Sequence, residues 1–202
     1  MEDSTKIVAE HYQKTYELTL QMWEQRNTTF VLLLTVVGAA ALLTFNAPQA
    51  EPLLVDIVAK IVGISDAARL KELRQSFPYG IIQTILLMIV LYLMVILYHR
   101  TAFIRRCYFY LGGIEPELKR SLGLSKEAVS FTRESTFYRK HKAPYSRFVA
   151  ITYIGMLGLL LVAFLGFRIY SDFISGNLVF AIVDLVLAIP TLLFFTGYAR
   201  MS

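Results

Sequence analysis

The sequence predicts an all-α integral membrane protein with four transmembrane helices, an N-terminal cytoplasmic helix continuous with the first span, and a mostly helical cytoplasmic layer. Three observations predict it. The chain is 56% hydrophobic and only 17% charged, too apolar for an ordinary soluble domain of 202 residues. Its apolar residues fall into long, nearly uncharged blocks of the length a bilayer requires. Its positive charge is concentrated in one segment, residues 99–147, which carries 11 Lys/Arg against four Glu while the whole chain is only +5. A short loop this basic is held on the cytoplasmic side during insertion, so both chain ends are expected in the cytoplasm of a cell whose inner (plasma) membrane holds the protein.

The first element covers residues 1–27. Val8, Tyr12, Tyr16, Thr19 and Trp23 recur at spacings of three and four, with Lys6, Glu10, Lys14, Glu17 and Glu24 on the other side. No proline interrupts the pattern before the first span, residues 28–45, so one helix is predicted from about Lys6 into the membrane, roughly 60 Å long at about 1.5 Å per residue. Trp23 and Arg26 mark its inner interface. Polarity through Asn27 excludes a secretory signal of the basic-then-apolar plan. Within the span, Gly38-Ala39-Ala40-Ala41 is a small-residue patch suited to close helix packing in lipid.

Residues 46–77 place Leu53, Leu54, Ile57, Val58, Ile61 and Ile64 on one helical face and read as an interfacial helix outside the membrane. A second short helix is expected after Ser65 as N-cap, stopped by Pro78. The second span, residues 78–98, continues as a cytoplasmic helix expected to end at Gly112-Gly113. A new short helix is then expected to begin at Glu115-Pro116-Glu117 and close at Gly123. Residues 130–138 fit either a helix or an extended segment. The third span, residues 148–167, offers Gly155, Gly158, Ala163 and Gly166 as contact points. A tight outer loop, residues 168–177, leads to the fourth span, residues 178–198, and a short cytoplasmic tail, residues 199–202.

Searching these elements for chemistry gives little. The chain has no Gly-rich phosphate loop with Lys, no GxSxG elbow and no HExxH. His11, His99 and His141 are far apart in sequence, and the single Cys107 has no partner for an intramolecular disulfide. A non-enzymatic protein is expected, with no catalytic residues, no metal and no cofactor.

The sharpest residue is Asp184. A carboxylate inside a span costs about 2.5–3.5 kcal/mol on the insertion scale unless it is partnered, so it should face inward. Gln83 and Thr84 of the second span lie at a reachable depth, and Arg168 is placed to bend toward it. A hydrogen-bond anchor and a water-filled conduction path both fit. Arg105, Arg106, Arg139, Lys140, Lys142 and Arg147 form the basic surface expected to meet a protein partner or lipid headgroups. Nucleic-acid or nucleotide binding fits less well, because the aromatics that would stack bases are interleaved with membrane borders.

A cytoplasmic amphipathic helix running into the first span, followed by the basic and aromatic juxtamembrane helix Phe103-Ile104-Arg105-Arg106-Cys107-Tyr108-Phe109-Tyr110, resembles the plan of small membrane effector and sensor proteins of bacterial antiphage systems, such as SLATT-type proteins. Those proteins commonly have two spans where this chain has four. The resemblance implies an oligomeric membrane component acting with a cytosolic partner in antiviral defence, and it carries no functional residue over. The expectation is therefore a non-enzymatic homo-oligomer, either a gated pore or a membrane sensor platform. The alternative is a small transporter with Asp184 as its coupling site, although no internal repeat supports it.

Overall fold

A computed structural model of the chain describes residues 2–45, 47–77, 79–125, 128, 130–132, 145–174 and 176–201. Among the described residues there are six helices and no strand: α1 (Glu2–Phe45), α2 (Ala47–Val62), α3 (Ala67–Ser76), α4 (Tyr79–Ser121), α5 (Ser146–Ile174) and α6 (Leu178–Met201). Four of these, α1, α4, α5 and α6, are long and apolar enough to cross a bilayer. The chain divides into two compact units. Unit 1 comprises residues 1–31, 95–155 and 194–202, and unit 2 comprises residues 32–94 and 156–193. Each long helix contributes one stretch to each unit.

Buried positions on the long helices recur with alternating spacings of three and four. On α4 they are Leu87, Val90, Met94, Leu97, Thr101, Ile104, Leu111, Glu115 and Leu118, and on α6 they are Ala181, Asp184, Ala188, Thr191 and Tyr198. This is the seven-residue seam of left-handed helix packing, in which one narrow stripe faces the neighbours. The opposite faces are bare hydrocarbon. Leu159 and Val162 of α5 and Val179, Ile182 and Val186 of α6 are all at least 60% exposed. An apolar surface of that extent is unsuited to water and natural in lipid.

The seam explains why α4 departs from the sequence expectation. It runs without interruption through Gly112-Gly113 and contains Pro116, so neither the stop at the glycine pair nor the new helix at Pro116 exists. Each interior glycine costs about 1 kcal/mol relative to Ala. Burial of Leu111, Ile114 and Leu118 on the same stripe offsets this, since a fully buried aliphatic side chain contributes about 1.5–3 kcal/mol. The ring of Pro116 crowds the carbonyl four residues back, and that residue is Gly112, which has no side chain to add to the crowding. The helix ends where Gly123 was expected to close it. Gly123 adopts φ +64°, the Gly123 amide donates to Arg120 O (3.2 Å) and the Leu124 amide donates to Lys119 O (3.0 Å), the paired bonds of a Schellman stop.

Three further expectations change. The N-cap of α3 is Asp66, not Ser65: its carboxylate accepts the Ala68 amide at 3.1 Å, satisfying one of the helix's orphan donors. The helix α5 continues through residues 168–174, assigned from sequence to the outer loop, and stops only before Gly176, whose φ is +72°. Arg168 and Asp172 are therefore helical residues one turn apart. Gly38, Gly155 and Gly166 are not tight contact points, for a Cβ at any of them meets nothing within 4 Å, whereas Ala40 and Ala41 of the α1 patch are buried. The close approach is at Gly197 of α6, where an added Cβ falls 2.7 Å from Cε2 of the Tyr98 ring.

Ser130, Phe131 and Thr132 are not helical, and Phe131 has φ +54°. The rest of the helix-or-extended segment, residues 133–138, lies outside the described residues.

Candidate functional site

The candidate site lies in unit 2 and is built on Arg168, which is 2% exposed. From α5 its Nε stands 2.6 Å from Oδ2 of Asp184 on α6. Its Nη1 stands 2.8 Å from Oδ1 of Asp172, one turn further along its own helix. Nη1 also donates to Oε1 of Gln83 on α4, and Nη2 donates to the Gly80 carbonyl at 3.3 Å. The second oxygen of Asp184, Oδ1, accepts the Thr84 hydroxyl at 2.9 Å. The Nε–Oδ2 contact lies off the hydrogen-bond axis, so its attraction is chiefly between charges.

Three helices thus meet on one guanidinium. Arginine suits this role because its planar fork presents donors in several directions and stays charged in any surroundings. Asp184 is 0% exposed and Gln83, Thr84 and Asp172 are all buried. Burying such ions is unfavourable unless every charge meets a partner. Here the guanidinium has two carboxyl groups and two neutral oxygens around it. Asp184 and Arg168 both occupy buried seam positions, so the cluster stands where the apolar stripes of α5 and α6 would otherwise continue.

The structure brings together four residues singled out from sequence, Asp184, Gln83, Thr84 and Arg168, and adds Asp172. Asp172 escapes a sequence reading that ends the third span at Phe167. Its signal was the i, i+4 spacing from Arg168, which has meaning only if the helix persists for two more turns.

The basic residues expected to meet partners or lipid are placed differently. Arg105 and Arg106 are exposed on α4 in unit 1. Arg147 lies in the first turn of α5, and Arg139, Lys140 and Lys142 lie outside the described residues.

Unit 1 has polar fastenings of its own. Glu115 is fully buried, and its Oε1 accepts the Tyr12 hydroxyl at 3.1 Å. Beside it His11 Nε2 and the Tyr110 hydroxyl are 3.0 Å apart, with their rings edge-on. Arg100 donates through Nη1 to the Gln25 carbonyl at 2.8 Å and to the Thr29 hydroxyl, tying α4 to α1. No group of three or more His, Cys, Asp or Glu side chains among the described residues is arranged to hold a metal ion.

No protein-family model matches the chain, and neither a curated protein nor a solved structure matches it.

Proposed function

We propose that this multi-pass membrane protein is a gated membrane component, a pore or sensor, in which the Arg168 cluster is the latch that holds α4, α5 and α6 in register. The observation that carries this reading is the single guanidinium bound at once to Asp184 of α6, Gln83 of α4 and Asp172 of α5. An ionisable group inside a span is by default functional. A group whose nitrogens are already committed to three helices is better suited to fastening them than to receiving a substrate. Ion pairs of this kind have two discrete arrangements, made and broken, and that is what a gate requires.

The remaining parts of the proposal follow the charge and apolar surfaces. Both termini and the basic central segment lie on the cytoplasmic side of an inner membrane, the exposed faces of α5 and α6 meet lipid or further copies in a homo-oligomer, and the exposed part of unit 1 engages a cytosolic partner. In a background with Cys107→Ser, an impermeant thiol reagent should label Gln75→Cys but not Lys142→Cys in intact cells. The reverse pattern would invert the orientation.

The transporter reading has one observation in its favour: the cluster holds two carboxyl groups against one guanidinium, the surplus that a proton- or cation-coupled carrier uses. Ion flux in proteoliposomes separates the two readings. A latch predicts that Asp184→Asn raises passive flux above wild type, because the α5 to α6 ion pair is lost. A coupling site predicts that the same variant abolishes gradient-driven uptake and leaves passive flux at background. Neither effect, in a variant that still assembles, leaves the cluster as a packing anchor alone.

A further inference from the structure

A second polar feature, in unit 1, has the opposite character to the Arg168 cluster. A cavity of about 700 Å³ opens there, and all four long helices line it. Three of its lining residues are arginines, Arg26 from α1, Arg105 from α4 and Arg200 from α6, and among the described residues no acidic side chain lines it. Arg105 and Arg200 are exposed, and among the described residues neither makes an ion pair. Arg26 lies over the Trp23 ring at 5.8 Å and donates to the Asn27 side chain, and among the described residues it makes no ion pair either.

The rest of the lining is amphipathic. Trp23, Tyr108 and Tyr198 supply aromatic walls with polar tips, and Val149 and Ile154 supply aliphatic surface. Each helix contributes the stretch where its charged sequence meets its apolar sequence, the level at which aromatic side chains settle at a bilayer surface.

We infer that this cavity binds the phosphate-bearing headgroup of an anionic phospholipid, with the three arginines around the phosphate and the aromatic and aliphatic wall against the glycerol and upper acyl chain. The chemistry fits in both directions. Guanidinium groups pair with phosphate oxygens through forked hydrogen bonds, and three of them line this opening with no acidic side chain among its described lining residues. A water-soluble phosphate ester would satisfy the arginines but not the apolar wall. The inference rests on the four long helices lying in a bilayer and is independent of the Arg168 cluster.

The chain has one tryptophan, and it lines this cavity, so its emission reports occupancy directly. The full-length protein is reconstituted in phosphatidylcholine vesicles, and quenching of Trp23 by brominated phosphatidylglycerol is compared with quenching by brominated phosphatidylcholine at equal mole fraction. The expected result is a preference of about tenfold for the anionic lipid, given roughly fivefold per juxtamembrane cation and incomplete additivity. The double variant Arg105→Gln/Arg200→Gln should lose most of that preference, to about twofold. Arg69→Gln/Lys71→Gln on α3 removes the same charge at residues that do not line the cavity and should retain it.

Equal quenching by the two lipids in wild type, or an equal loss in the α3 control, overturns the site. Relief of the quenching by millimolar glycerol phosphate assigns the cavity to a soluble phosphate ester and overturns the lipid assignment.

Discussion

In unit 2 the buried guanidinium of Arg168 meets carboxyl oxygens at 2.6 and 2.8 Å, whereas in unit 1 Arg105 and Arg200 border a cavity with no acid among its described lining residues. The two regions use the same residue type for opposite ends. Unit 2 closes its charges on one another, so they are shielded from salt and headgroups and act between helices. Unit 1 leaves its cations open, so their energy is realised only when an anion arrives. Where unit 1 does bury a charged side chain, Glu115, that side chain accepts the hydroxyl of Tyr12. On the proposed reading, the closed ion cluster fastens helices and the open cationic rim receives an anion.

Four tests break or sharpen this contrast. The largest effect belongs to Arg168→Leu, which leaves two buried carboxyl groups without their cation; breaking one partner of a buried pair costs about 3–5 kcal/mol. It should abolish monodisperse protein in detergent or lower its melting temperature sharply, with Arg168→Lys intermediate because an ammonium lacks the fork. Wild-type melting in Arg168→Leu would remove the cluster from the account.

Next comes the inequality between the two carboxyl groups. Asp184 joins α5 to α6 and accepts from Thr84, while Asp172 pairs within its own helix, so Asp184→Asn should cost about 2–3 kcal/mol and Asp172→Asn about 1 kcal/mol. Equal losses in chemical denaturation would mean that the link between helices contributes nothing extra.

Gly197→Ala tests packing in unit 1 without touching charge. Its new Cβ would stand 2.7 Å from the Tyr98 ring, and overpacking of that kind costs about 1–3 kcal/mol. Tyr98→Leu in the same chain should restore most of the loss.

The smallest effect on stability is expected for Arg105→Gln, within about 0.5 kcal/mol of wild type, because Arg105 is exposed and holds no described partner. A larger drop in thermal melting would show that the open rim of unit 1 is structural.

Much of this was legible in the sequence, for physical reasons that can be named. The four apolar blocks and their helices follow from hydropathy alone, because lipid forces every backbone group into internal hydrogen bonds. Asp184 stood out because a lone carboxylate in such a block demands a partner, and Gln83, Thr84 and Arg168 were the groups within reach. Asp172 was lost because charge and polarity near Tyr170, Ser171 and Asp172 resemble a loop, while the helix is held by the buried stripe that ends at Arg168 and Asp172. The glycine pair at residues 112–113 misled for the same reason: local propensity is worth about 1 kcal/mol per residue, and the seam through Leu111, Glu115 and Leu118 outweighs it. Gly155 and Gly166 on α5 suggested tight contacts, yet a Cβ at either meets nothing within 4 Å, and the buried stripe there includes Leu157, Leu161, Phe164 and Arg168. The unit 1 cavity was half legible: Trp23 and Arg26 read as the inner interface and Arg105 as surface for a partner or lipid, but their meeting with Arg200 depends on how four separate helices come together.

The central claim is that Arg168 and Asp184 act on each other as the fastening between α5 and α6. The most direct measurement is a double-mutant cycle on stability in detergent, using Arg168→Met, Asp184→Leu and the two combined. The account predicts that the double variant is more stable than the sum of the single losses implies, with a coupling of about 2–3 kcal/mol, because neither buried charge is then left alone. Losses that simply add, with coupling near zero, would contradict it.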